Sequence, residues 1–182
     1  MRYFLSNRVP PFTRLLLVES GSRYLLDNLL PDLPKIHGDQ LQVDLVTCFA
    51  GLPEGFRPEH GRVYRVTDYP GRANRKRLYR ELRANGYTVV GIVCAGEPIM
   101  TKWKWSLAWH LPAKLFILNE NGDYFWFDRA HWSAVRHFLL FRAGLAGAGA
   151  VRTLARLAAF PFTLLYLLLY AAAVHLRGKV RT

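Results

Sequence analysis

Residues 157–176 read LAAFPFTLLYLLLYAAAVHL, twenty positions without a formal charge. A helix rises about 1.5 Å per residue, so this run is about 30 Å long, the thickness of a bilayer's hydrocarbon core. A soluble fold can hide such a helix only by surrounding it with other apolar surface. A chain of 182 residues has little to spare beyond its own core. The run therefore reads as membrane-embedded, with a buried core helix as the competing reading.

The distribution of charge points the same way. The formal net charge is +12, and all thirteen acidic residues lie at or before Asp128. Residues 129–182 thus carry Arg129, Arg136, Arg142, Arg152, Arg156, Arg177, Lys179 and Arg181 unopposed. Such a stretch asks for a polyanion, either an anionic membrane face or nucleic acid. Nucleic acid is the weaker reading, because it leaves the apolar run unexplained. Basic residues flank that run on both sides, so the positive-inside rule gives it no direction. A full span and a re-entrant hairpin bent near Pro161 both fit.

The first residues, MRYFLSNRVPPFTR, lack the apolar core of a signal peptide, and Pro10-Pro11 interrupts a helix there. The folded part is accordingly expected on the cytoplasmic side of the membrane. Cys48 and Cys94 sit in strand-like runs without CxxC spacing or a neighbouring histidine cluster. They read as buried thiols, and no metal or cofactor is expected. His110, His131 and His137 have no partner spaced for a metal site or a triad.

The region before the basic segment alternates strand and helix. Residues 13–19 (TRLLLVE), 42–49 (QVDLVTCF), 62–67 (RVYRVT), 88–94 (TVVGIVC) and 114–118 (KLFIL) read as strands, the first and fourth as buried on both faces. RYLLDNLLPDL has leucines at helical spacing, with Pro31 and Pro34 as its stop. A second helix is expected over residues 73–84, ended by Asn85-Gly86. A third is expected from Pro98, placed at its first position, to His110 before Pro112. The series predicts an α/β fold: a Rossmann-like open, mainly parallel sheet with helices on both faces. It spans residues 13–128, after an arm at 1–12. A basic and aromatic interface segment at 129–156, the hydrophobic helix at 157–176 and a basic tail at 177–182 follow.

Open parallel sheets bind ligands outside the carboxyl ends of their strands. The unusual polar residues of this chain gather at those ends. Glu19, Ser20 and Ser22 follow the first strand, Thr67 and Asp68 the third, Gly96 and Glu97 the fourth, and Asn119, Glu120, Asn121 and Asp123 the fifth. Gly96 would let a ligand approach the backbone, and a helix starting at Pro98 would offer free N–H groups to an anion. The competing account is that polar residues end strands in every α/β protein, and that Glu97 merely favours the following helix dipole. ESGS lacks the further glycines of a dinucleotide fingerprint, and no Walker sequence occurs.

On the third helix, Met100, Trp103 and Leu107 form one stripe, expected to face the sheet. Trp105 and Trp109 fall on another side with Lys102, a face suited to a membrane interface or a partner protein. Trp126, Trp132, Arg136, Arg142, Arg152 and Arg156 are assigned to the same interfacial collar. The helix GRANRKRLYRELRANG sets Arg72, Arg75, Lys76, Arg77, Arg80 and Arg83 against Glu81 alone. It is either a solvated face or a contact for anionic lipid or a phosphate-bearing lipid substrate, at about 1 kcal/mol per basic residue near the surface.

The stretches RLLLVESGSRYLLDNLL and NGYTVVGIVCAGEPIMTKWKWSLAWHLPAKLFILNENGDYFW together resemble in layout the N-terminal half of GT-B type glycosyltransferases. The resemblance covers residues 13–125. It implies an acceptor-binding half, with Glu97 as first and Glu120 as second candidate base for activating an acceptor hydroxyl. Glu19, Ser20 and Ser22 would line the acceptor side, with Asp68, Gly96, Asn119 and Asp123 as further contacts. The family's nucleotide-sugar-binding half has no counterpart here, its place being taken by the hydrophobic segment. The expectation is a membrane-anchored subunit acting on a lipid-linked or membrane-proximal acceptor with a separate donor-binding protein. A non-catalytic subunit that stabilises a larger membrane complex is the alternative.

Overall fold

The computed structural model describes residues 6–147 and 150–180, with only the backbone for 176–180. The first five residues of the arm and the side chains of the basic tail lie outside the described residues. The chain divides into two compact units, Met1–Trp132 and Ser133–Thr182.

The first unit is built on a six-stranded sheet in the order β3-β2-β1-β4-β5-β6. The strands are β1 (Arg14–Glu19), β2 (Gln42–Thr47), β3 (Val63–Arg65), β4 (Val89–Cys94), β5 (Lys114–Asn119) and β6 (Tyr124–Trp126). The first five run parallel, and β6 pairs antiparallel with β5. The fold is therefore α/β with an open, mostly parallel sheet. Central β1 and β4 are apolar along nearly their whole length because both faces are covered.

The strand order reverses between β1 and β4, and right-handed crossovers then dictate the layers. The path from β1 to β2 carries α1 (Tyr24–Leu29) and α2 (Asp32–His37). The paths from β3 to β4 and from β4 to β5 carry α3 (Gly71–Ala84) and α4 (Thr101–His110), which fall on the opposite face. Packing agrees with this. Leu15, Leu17, Leu45, Val89, Val93, Phe116 and Leu118 form one cluster with Leu25, Leu26, Leu30 and Leu33 of the α1–α2 segment. Leu16, Val18, Ile92, Leu115 and Ile117, buried at the alternate positions, point the other way.

Several boundaries differ from the sequence expectation for physical reasons. Pro31 and Pro34 do not end the helical region. Pro31 caps α2, and Pro34 lies in its first turn, where no intrahelical N–H is needed. Helix α4 begins at Thr101, not Pro98, because Met100 takes a left-handed conformation with φ +50°. Its inward residues are Lys104, Leu107 and Ala108. Trp103 meets Tyr79 of α3 edge-on instead, with ring centroids 5.9 Å apart. Trp126, assigned above to the interfacial collar, instead lies in strand β6 and packs edge-on against Phe12 and Phe116.

The second unit holds most of α5 (Trp132–Arg142) and the long α6 (Ala150–Val180). Helix α6 continues through Pro161 without a turn, so no hairpin forms there. Its stretch Ala150–His175 is long and apolar enough to cross a membrane, and none of its apolar window is buried.

Candidate functional site

The candidate site is the carboxyl edge of the sheet where β1 and β4 adjoin. Strand β1 ends in Glu19, followed directly by Ser20, both fully buried. The Ser20 hydroxyl donates to the carbonyl of Val93 at 2.6 Å, tying the end of β1 to the end of β4. Gly21 follows because nothing larger fits: a Cβ there would stand 2.7 Å from that of Ala95 and 2.9 Å from Val93 Cγ1. The turn is thus pressed against β4, and the chain then enters α1.

Four residues after Glu19, Arg23 folds back over it. Arg23 Nε donates to Glu19 Oε1 at 2.7 Å, and a second guanidinium nitrogen donates to the carbonyl of Ala50 at 3.1 Å. The guanidinium also lies 5.6 Å from the ring centre of Phe49. The bond to Glu19 holds the pKa of Arg23 above its ordinary value. The pair is incomplete, because Glu19 Oε2 and Arg23 Nη2 are buried without a hydrogen-bond partner among the described residues. Leaving such atoms unpaired costs free energy, so a group that satisfied both would bind favourably.

The loop after β4 carries the other candidates of this edge. Gly96 and Glu97 are exposed, and nothing stands within 4 Å of a Cβ built at Gly96. Glu97 makes no hydrogen bond or ion pair among the described residues. Met100, at the N-cap position of α4, makes no side-chain capping hydrogen bond among the described residues. One turn in, Lys104 is 5 % exposed, and its ammonium has no acceptor among the described residues.

The remaining sequence candidates divide. Asn119 and Asp123 belong to the β5–β6 turn: Asn119 Oδ1 accepts from the backbone N–H groups of Asn121 and Asp123, and its amide donates to Asp123 at 3.3 Å. Glu120 sits in that turn, and its carbonyl accepts from the Tyr24 hydroxyl at 2.7 Å, linking α1 to the far side of β4. Ser22 is half-buried between the β1 end and α1. Asp68 is exposed in the short 3-10 turn after β3, two strands away from β1. The edge therefore gathers Glu19, Ser20, Ser22, Gly96 and Glu97, with Glu120 alongside and Asp68 apart.

Among the assigned interfacial residues, Trp105 and Trp109 are exposed on α4. Trp132, Arg136 and Arg142 are exposed on α5, and Arg152 is exposed on α6 with Arg156. Trp126 instead serves the sheet. Sequence reasoning missed Arg23 and Lys104. The spacing from Glu19 to Arg23 was visible, but it joins a strand end to a loop, where helical periodicity gives no warning. Among the described residues, no group of three or more metal-ligating side chains gathers. Comparison with protein-family models, curated proteins and solved structures finds no match.

Proposed function

We propose that the chain is a membrane-anchored, glycosyltransferase-like unit that binds a hydroxyl-rich acceptor at the β1–β4 edge. It would act with a separate protein that holds the sugar donor. The supporting observation is Glu19, a fully buried carboxylate at the strand-order switch with one oxygen unpaired. Vicinal hydroxyls both donate and accept, which is what an open carboxylate oxygen and an open guanidinium nitrogen require. Arg23, whose side chain is 32 % exposed, is the movable member, and its rotation would bare Glu19 to the ligand. Glu97 is the unpaired carboxylate at the rim and takes the role of base. Helix α6 supplies the anchor, with the α/β unit on the cytoplasmic face and anionic lipid as its neighbour.

Binding of phosphate-free oligosaccharides to the full chain in detergent tests this reading. Saturable binding that Glu19→Gln abolishes, with the fold intact by circular dichroism, supports it. No binding across a broad panel, or binding indifferent to both Glu19→Gln and Arg23→Gln, removes it.

One observation favours an assembly role as the second reading. Trp109 is 65 % exposed and shares the outer side of α4 with exposed Trp105, as at a protein contact. Purification from native membranes separates the two: a stable complex lost in Trp105→Ala/Trp109→Ala, with no saccharide binding, selects the assembly role.

A further inference from the structure

A groove of about 280 Å³ opens between α3 and α4, lined by Lys76, Tyr79, Arg80, Arg83 and His110. Lys76, Arg80 and Arg83 fall on one side of α3 at helical spacing. None of the three forms an ion pair among the described residues. The far wall is fixed by aromatic packing: the His110 ring stacks on Tyr79, with centroids 4.5 Å apart and planes 21° from parallel. His110 Nδ1 lies 2.8 Å from the carbonyl of Ser106, which makes Nδ1 the donor there and leaves Nε2 open.

We infer that this groove is a binding site for a phosphate group. Four nitrogen-bearing side chains converge on it and no carboxylate lines it. Guanidinium forks match phosphate oxygens in pairs, a lysine adds a compact charge, and the flat Tyr79–His110 wall accepts what the phosphate is attached to. The ends of α3 and α4 that meet here are their C-termini, whose dipoles disfavour an anion. The clustered cations offset that. A merely solvated helix face would not need an imidazole held by Ser106 and a tyrosine against it.

The site is separate from the β1–β4 edge. Arg83 and His110 are at or near the ends of α3 and α4, shortly before β4 and β5 begin, at the opposite end of the sheet. The inference therefore stands whatever binds near Glu19. The phosphate could be borne by a lipid headgroup or by a soluble compound.

Calorimetric titration of the full chain in detergent distinguishes these sources. The titrants are inorganic phosphate, pyrophosphate, short-chain phosphatidic acid and, as a zwitterionic control, short-chain phosphatidylcholine. Saturation by phosphate or pyrophosphate assigns a soluble phosphate; saturation by phosphatidic acid alone assigns a lipid headgroup. Arg80→Gln/Arg83→Gln should weaken binding by roughly tenfold or more, and His110→Gln by a smaller factor. Arg72→Gln/Arg75→Gln removes the same charge from residues that do not line the groove and should weaken it by less than about twofold. Equal losses in both double variants would reduce the effect to general electrostatics and overturn the site, as would the absence of saturable binding by every anion.

Discussion

Lys114, the first residue of β5, and Asp128, just past β6, meet at 2.6 Å with side-chain exposures of 0 % and 2 %. The pair is well provided for. Lys114 also donates to the carbonyl of Ser6 and lies 5.6 Å from the ring centre of Trp126. The other carboxylate oxygen of Asp128 accepts from the backbone N–H of His131 at 2.9 Å and lies 2.8 Å from its imidazole Nδ1. Breaking one side of a buried pair leaves a charge stranded, so Asp128→Asn should cost about 3–5 kcal/mol. Lys114→Met combined with Asp128→Leu should recover most of that loss. Denaturant melts of the full chain in detergent check both, and a double variant no better than the single one would show that the charge was not the cause.

The same pair gives the fold a dependence on acid. Burial alone would raise the Asp128 pKa, but hydrogen bonds from Lys114 and His131 outweigh it and lower the value from 3.8 to about 2. The folded pKa lies below the unfolded one, so the stabilisation is fully present above about pH 4 and fades as pH falls toward 2. At 1.36 kcal/mol per unit, it amounts to about 2 kcal/mol. The gap in melting temperature between wild type and Asp128→Asn should therefore narrow between pH 4 and pH 2. A gap that stays constant across that range would place the stabilisation elsewhere.

Two glycines separate packing from ligand access. A Cβ at Gly91 would stand 2.3 Å from Phe116 Cζ and 2.8 Å from Leu17 Cδ2, inside the α1–α2 face of the sheet. Gly91→Ala is expected to cost about 1–3 kcal/mol through overpacking. At Gly96 there is open space, so Gly96→Ala should stay within about 0.5 kcal/mol of wild type. If Gly96 contributes, it does so by admitting a ligand, and saccharide binding should then fall while the melting temperature holds. Destabilisation by Gly96→Ala would contradict the open space found there.

How far the sequence discloses the fold follows from the range of each interaction. The central parallel strands announce themselves through runs such as LLLV and TVVGIV, because burial on both faces writes itself into consecutive residues. Strand β6 does not: it has three residues, too few for a period, and its aromatics imitate an interfacial belt. The buried partner of Lys114 was hidden for another reason. A lysine at the start of an apolar strand looks like a solvated end until Asp128 arrives beside it, fourteen residues later in the chain. The groove between α3 and α4 was legible only as a row of arginines, since its other wall depends on His110 reaching Tyr79 from a different helix.

Helix α6 predicts behaviour in membrane fractions. Leu157, Phe160, Phe162 and Leu169 are each at least 60 % exposed, which water would penalise heavily and a bilayer would not. The full chain should stay in the pellet after high salt and after alkaline carbonate, whereas deletion of residues 150–182 should move it to the supernatant. Release of the intact chain by salt alone would mean that charge, not the apolar helix, holds it.

The sharpest question for the proposed chemistry concerns Glu97. Helix α4 starts at Thr101, so Glu97 lies outside the first turn, where a carboxylate gains about 0.3–1 kcal/mol from the helix dipole. Its substitution should therefore leave stability almost untouched, which makes Glu97→Gln a clean probe. If Glu97 is the base, transfer by the chain together with its donor-binding partner should fall by about 10²-fold or more. Saccharide affinity should change little, because glutamine keeps the size and much of the hydrogen bonding. Glu19→Gln should do the reverse, weakening affinity first, since Glu19 is held beneath Arg23 and in the proposed reading would meet the ligand as a partner for its hydroxyls. Full activity in Glu97→Gln, with Glu19→Gln still deficient in binding, would leave the edge as a recognition site and move the base to Glu120 or to the donor-binding partner.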